Sequence, residues 1–350
     1  VLVDSPPESE RSAAPVPAAR PRHAARAAGL LVAVAVLALV MVASIAVGAK
    51  PMSLDDVWHG LFSYAGTPND VVVRDLRVPR TVLGVLVGLG LGLSGAVMQA
   101  LTRNPLAEPG ILGVNAGAAA AVVSAISFFG AASLTEFVWW AFLGAGTVSV
   151  VVYVLGGSRS ATPVRLALAG TAASAALVGY INAVQLMDSK ALDKLRFWTV
   201  GSLSSATMDT VEQVAPFLLV GAALALLLGR PLNAMAMGDD TARALGAHLT
   251  RTRIAAMVAI TLLCGAATAA CGPIVFVGLM IPHLVRVVTG PDMRWVLVYS
   301  AVLAPVLLLG ADVIGRVVTR PAELQVGIVT ALIGGPVFIH LVRRKRMAQL

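Results

Sequence analysis

The chain has 350 residues, of which 58% are hydrophobic and only 13% charged, and its formal net charge is +8. A soluble domain of this size carries about a quarter charged residues, and a mean hydropathy of +0.86 leaves more apolar surface than one soluble core can bury. An ordinary soluble protein is therefore excluded. So is a membrane β-barrel, because the apolar residues stand in solid blocks of Leu, Val, Ala and Gly rather than alternating with polar ones. The chain reads as all-α, a polytopic bundle of membrane helices.

Residues 1–27 are rich in Pro, Ala, Ser and Arg and read as a disordered cytoplasmic tail. Arg20, Arg22 and Arg26 lead into an apolar run from Ala28 to Gly48, too long for the core of a secretory signal and read as the first membrane helix. Further spans are predicted at 81–101, 111–130, 137–156, 164–186, 209–229, 254–272, 274–290, 295–311 and 326–342, about ten in all. The spans at 274–290 and 295–311 are short and broken by Pro and Gly. With the N-terminus inside, 17 of the 26 basic residues fall in cytoplasmic segments, as do 7 of the 18 acids. This satisfies the positive-inside rule and puts both termini in the cytoplasm, with Arg343, Arg344, Lys345 and Arg346 anchoring the C-terminal end. The same scatter over short loops argues against a nucleic-acid surface. Residues 28–346 thus form one transmembrane domain of a multi-pass plasma-membrane protein, and 230–253 is its longest cytoplasmic loop between spans.

Within the spans, Gly84, Gly88 and Gly92 recur every fourth residue and Gly95 continues the run, the small-residue pattern that lets helix backbones approach closely in lipid. Cys264 and Cys271 lie seven residues apart in one apolar stretch. That is roughly 10 Å of helical rise, too far for a disulfide, so both read as small packing residues.

Chemistry of the chain's own is not visible. No predicted span carries Asp or Glu near its centre, where an ion-coupled carrier needs one. The five histidines, at 23, 59, 248, 283 and 340, show no metal-ligand spacing. No nucleophile–base set and no phosphate-cradling Gly-rich loop occurs. No catalytic residue, metal site or bound cofactor is assigned, and the energy for any transport must come from a partner. A secondary transporter and a membrane enzyme are the rival classes.

Six polar blocks interrupt the apolar background. They read Arg-Asp-Leu-Arg-Val-Pro-Arg at 74–80, Thr-Arg-Asn-Pro-Leu-Ala-Glu-Pro-Gly at 102–110 and Gly-Asp-Asp-Thr-Ala-Arg-Ala-Leu-Gly at 238–246. A long Gly-Pro-Ile-Val-Phe-Val-Gly-Leu-Met-Ile-Pro-His stretch opens at 272, Ala-Asp-Val-Ile-Gly-Arg stands at 311–316, and Pro-Ala-Glu-Leu-Gln-Val-Gly-Ile-Val-Thr at 321–330. In this order, from about residue 28 to 346, they resemble the FecCD permeases, the membrane subunits of ABC importers for iron–siderophores, haem and vitamin B12. Gln325 departs from the pattern, since the family often has Pro there.

The resemblance implies a ten-helix permease that pairs with a second permease subunit, identical or paralogous. Two cytoplasmic ATPase subunits, which hold the ATP and Mg, and an extracytoplasmic binding protein complete the assembly. Ferric siderophore is the expected cargo, with haem or cobalamin as the alternative. Arg77, Arg80 and Arg316 lie outside, against the general charge bias, and match positions that dock the binding protein; snorkelling at the interface is the plainer role. In the 230–253 loop, Asp239 is expected to cap a short helix whose first turn holds Asp240. Gly246 is expected to end it. The family's coupling helix lies here, centred on Thr241, Ala242, Arg243, Ala244 and Leu245. Asn104–Gly110 reads as a tight cytoplasmic turn, with or without an ATPase contact. Pro282 is expected to bend its helix, with His283 bonding a neighbour. The segment 191–205, with Phe197, Trp198, Gly201 and Ser202, is read as a short gate helix near the path or an interfacial loop.

Overall fold

The computed structural model describes residues 22–131, 134–157, 163–244 and 246–343. Fifteen α-helices, one π turn and one 3₁₀ turn account for them, and no strand occurs among the described residues. The tail lies mostly outside this description, but helix α1 (Arg22–Ala46) begins inside the segment read as tail. The prediction stopped at the last arginine, whereas arginine is as good a helix former as leucine.

All ten predicted spans fall on helices. Seven are long and apolar enough to cross a membrane, and three shorter apolar helices, α5 (Val114–Phe129), α13 (Val277–Thr289) and α15 (Val326–Arg343), coincide with the others. After α1 comes α2 (Leu54–Phe62), closed at its start by a reciprocal Ser53–Asp56 capping box. Next, α3 (Pro68–Val71), a π turn over Val72–Arg77 and α4 (Val78–Thr102) run on as one helical segment of 35 residues. The sequence pattern began this span at 81 because of Arg74, Arg77 and Arg80; the arginines are helical instead.

Helix α4 is the axis of the bundle. It packs against α14 (Met293–Val318), α12 (Leu249–Cys271), α13 and α9 (Met208–Leu227). Its glycine run makes this possible. A Cβ on Gly88 would lie 2.5 Å from the Pro305 backbone, and one on Gly92 2.5 Å from the Ser300 carbonyl. Helix α14 also exceeds the predicted 295–311 span by seven residues at its outer end. Asp312 and Arg316 looked like loop residues but remain helical, because each is neutralised inside the bundle.

Helices α5 and α13 are short for a common reason. Gly278, in the first turn of α13, touches both Gly95 and the Pro109 ring. Gly95 stands two turns before the end of α4, so the 104–112 segment folds back into the bundle by roughly 10 Å. There its 3₁₀ turn (Pro109–Leu112) packs against α7 (Pro163–Met187), with Gly170 beside the Ile111 carbonyl. Non-helical backbone at this depth survives only when enclosed by protein. The tight turn read at Asn104–Gly110 is thus largely enclosed, and of its residues only Asn104 is exposed. Helix α6 (Leu134–Leu155) packs against α5 and α12 and completes the long helices.

Candidate functional site

At the outer end, the three predicted arginines come together. Arg77 donates to the Ile45 and Ala46 carbonyls at 2.8 and 2.7 Å and to that of Lys50 at 2.7 Å. It thereby caps the last turn of α1, where a cation is favoured. Arg80 grips Asp312 through two nitrogens, at 3.0 and 2.7 Å, and donates to Glu323 at 2.7 Å. Arg316 donates from Nε to Asp312 Oδ2 at 2.9 Å, an oxygen it shares with Arg80, and to the Ser44 carbonyl at 2.8 Å. Ser44 in turn shares a 2.8 Å hydrogen bond with Thr81. Arg320 closes the set on the Gly48 carbonyl at 2.7 Å.

The three guanidinium groups are therefore neither snorkelled nor displayed as free groups. All three residues are buried, with Arg316 only 1% exposed. Four arginines face two carboxylates, Asp312 and Glu323, so the cluster keeps an excess of positive charge. It lines a cleft of about 270 Å³ whose rim includes Lys50, Leu76 and Ser204. Sequence reasoning missed Asp312 and Glu323 as partners. Their signal was available: Asp312 and Arg316 are four apart, the spacing of a helical ion pair.

At the inner end, α10 (Gly229–Ala236) and α11 (Asp239–Ala244) make up the long loop. Asp239 is the first residue of α11 rather than its cap, and Asp240 shares the first turn as expected. The Asp239 carboxylate holds Arg103, the last-turn cap of α4, on one oxygen and Arg253, in the first turn of α12, on the other at 2.7 Å. Burial raises its pKa, but hydrogen bonding to Arg103 and the charge of Arg253 outweigh this and hold it below the ordinary carboxylate value. Ala242 is fully buried, whereas Asp240, Thr241, Arg243 and Ala244 face outward. Arg243 pairs with Asp240 at 2.9 Å on that exposed side. Gly246 takes a left-handed conformation (φ +79°) and ends the helix as expected, with Ala247 donating back to the Ala242 carbonyl at 2.9 Å. Leu245 lies outside the described residues.

A second tie was not foreseen. Asn233 of α10 donates to Asp292 at 2.7 Å and accepts from the Met293 backbone at 2.8 Å, fastening the loop to the start of α14. Arg294 and Asn233 together pull the Asp292 pKa down to about 2. The Pro-Asp-Met-Arg run at 291–294 carried the signal, an Asp before a helix.

On the outer side, α8 (Ser189–Val200) is the expected short helix, started by Asp188, which accepts from the Lys190 and Ala191 amides. Trp198 is buried; the Phe197 side chain lies outside the described residues. Gly201 has φ +80°, and a Cβ there would stand 2.6 Å from the Pro273 carbonyl. Ser202 donates to the Cys271 carbonyl at 2.8 Å and Gly327 to that of Gly201 at 3.1 Å. Gly201 and Ser202 thus knot the ends of α8, α12 and α15. Beside them a polar cleft of about 190 Å³ is lined by Lys194, Trp198, Ser202, Thr210 and Gln325. Among the described residues no three His, Cys, Asp or Glu side chains group as metal ligands, and both cysteines are free and buried.

Seven helices long and apolar enough to cross a membrane, one of them the glycine-faced axis α4, define a multi-pass membrane protein of the permease class. The chain belongs to the FecCD transport family, which matches residues 36–344. It is 46% identical over 304 residues to the ferric enterobactin transport system permease protein FepD of Escherichia coli, covering 86% of this chain and 91% of that one. The iron(3+)-hydroxamate import system permease protein FhuB of Bacillus subtilis is 40% identical over 91% of this chain and 83% of its own. For the hemin transport system permease protein HmuU of Yersinia pestis the identity is 36%, over 91% of this chain and 95% of that one. A solved metal-chelate type ABC transporter in an inward-facing conformation superposes with a TM-score of 0.80 at 27% identity, over 90% of this chain and 99% of that one.

Proposed function

We propose that this chain is the membrane-spanning permease subunit of an ATP-driven importer and forms half of a path for ferric siderophore. The Asp239 brace carries the reading. A short helix with an exposed outer face is tied by one carboxylate to the end of α4 and the start of α12. A push on α11 by a cytoplasmic ATPase therefore reaches the central helix of the bundle directly. ATP and Mg belong to two such ATPase subunits, not to this chain.

The second permease subunit meets α7. Alongside Leu168, Val178 and Leu186, this helix exposes Thr171, Ala172, Ala175, Ala176, Gly179 and Asn182, small and polar residues that suit the close approach of another helix or a wet path. The loaded binding protein docks over the outer arginine cleft, whose surplus positive charge attracts carboxylates. Charge reversal at Arg77, Arg80 and Arg316 abolishes capture in this reading. Because those residues also brace the fold, Lys50→Glu on the rim and Arg320→Glu, exposed beside it on the Gly48 carbonyl, are the cleaner test. They weaken capture of the loaded binding protein and flatten its salt dependence; unchanged capture by both rejects the docking site.

Relatedness to the enterobactin and hydroxamate permeases supports siderophore, and relatedness to the hemin permease supports haem as the second reading. Uptake of radio-iron ferric siderophore, haem and cyanocobalamin by proteoliposomes holding the full importer separates them. Uptake driven by an ion gradient without ATP rejects the class.

A further inference from the structure

At the cytoplasmic end of the bundle, α1, α13 and α14 leave a groove of about 370 Å³ between them. Its floor is fixed by a close approach. The Tyr299 hydroxyl donates to the Arg26 carbonyl at 2.5 Å, and a Cβ on the adjoining Gly29 would stand 2.6 Å from that hydroxyl. The Arg26 guanidinium lies 5.9 Å from the centre of the Trp295 ring. Among the described residues no carboxylate pairs with it. The Thr289 hydroxyl is spent on the Val285 carbonyl at 3.0 Å, and nearby Asp292 is held by Arg294 and Asn233. The groove therefore offers one strong, uncommitted donor.

Its outer wall has the opposite character. Val287 and Val288 are 72% and 81% exposed, on a helix of a membrane bundle, and offer an apolar surface that an acyl chain can cover. The site thus joins an apolar wall at lipid depth to a guanidinium beside a tryptophan at the cytoplasmic interface, where Trp settles. Grooves of this kind between membrane helices suit anionic headgroups. A zwitterionic lipid would bring its own cation against Arg26, whereas an anionic one would not. We infer that this groove binds one anionic phospholipid, its phosphate paired with Arg26 and an acyl chain laid along Val287 and Val288.

The test is native mass spectrometry of the full chain, loaded with equal amounts of phosphatidylglycerol and phosphatidylcholine. The wild-type chain retains phosphatidylglycerol in preference. Arg26→Ala lowers that retention about fivefold, the worth of one basic residue at an anionic surface. Val288→Glu, a change on an exposed wall that leaves internal packing intact, lowers it as well. Arg251→Ala, at an exposed cytoplasmic arginine elsewhere, leaves it unchanged. Excess inorganic phosphate fails to displace the lipid. Equal retention of the two lipids, retention indifferent to both groove variants, or displacement by inorganic phosphate alone overturns the inference.

Discussion

Asp239 holds two arginines from two different helices, and its geometry makes a sharp demand. Asp239→Asn keeps the shape of the side chain but removes the charge. Hydrogen bonds to charged groups contribute about 1.5–3 kcal/mol each, so uptake per ATP hydrolysed is expected to fall about tenfold or more while ATP hydrolysis continues. Measuring both rates in the same proteoliposomes checks this. The pH dependence follows with a definite sign. The folded-state pKa of Asp239 lies below 3.8 and that of Asp292 at about 2. Their contributions are fully present above the unfolded value and are lost only as pH falls below 3.8 and through the folded values. Coupling is therefore expected to be flat across the range of about pH 5–8 in which most proteins are stable. At the outer end, Asp312→Ala leaves Arg80 and Arg316 buried without their shared anion. Removing one partner of a buried ion pair costs about 3–5 kcal/mol, so the variant is expected to lose most of its thermal stability in detergent.

Among the elements, α4 and α14 decide the packing. Gly88→Val places a branched side chain against the Pro305 backbone, which cannot yield. Overpacking of this kind costs about 1–3 kcal/mol or more, and a clear drop in melting temperature is expected. Gly310→Ala meets open space and should leave the melting temperature unchanged. These helices were legible in the sequence because apolar length and a four-residue glycine period are strong local signals. Their outer ends were not. Arg77, Arg80, Asp312 and Arg316 read singly as loop charges, and only the tertiary approach of α4 to α14 turns them into a neutralising cluster. The depth of the 104–112 segment was hidden for the same reason. Two prolines and a glycine mark a turn, but its depth depends on Gly95, Gly278 and Gly170, which are distant in sequence. The 230–253 loop fared better. Its short helix and its Gly246 stop were readable from residue types, while the Asp239 and Asn233 ties needed the folded chain.

For the whole molecule, the two arginine–carboxylate clusters lie toward opposite membrane faces, and one buried helix connects them. Arg80 near the outer end of α4 and Arg103 at its inner end are both fixed by carboxylates from other elements. A movement imposed on α11 is thus carried by a helix of 25 residues toward the outer arginine cleft. This is what an importer needs if ATP binding inside is to answer a loaded binding protein outside. The central claim is that transport is driven through Asp239 by a partner ATPase. The most direct test is radio-iron ferric siderophore uptake by proteoliposomes containing the full importer, with and without ATP, for the wild-type chain and for Asp239→Asn. ATP-dependent uptake that collapses in the variant while ATP hydrolysis persists is the predicted result. Uptake that needs no ATP, or that is untouched by Asp239→Asn, would contradict it.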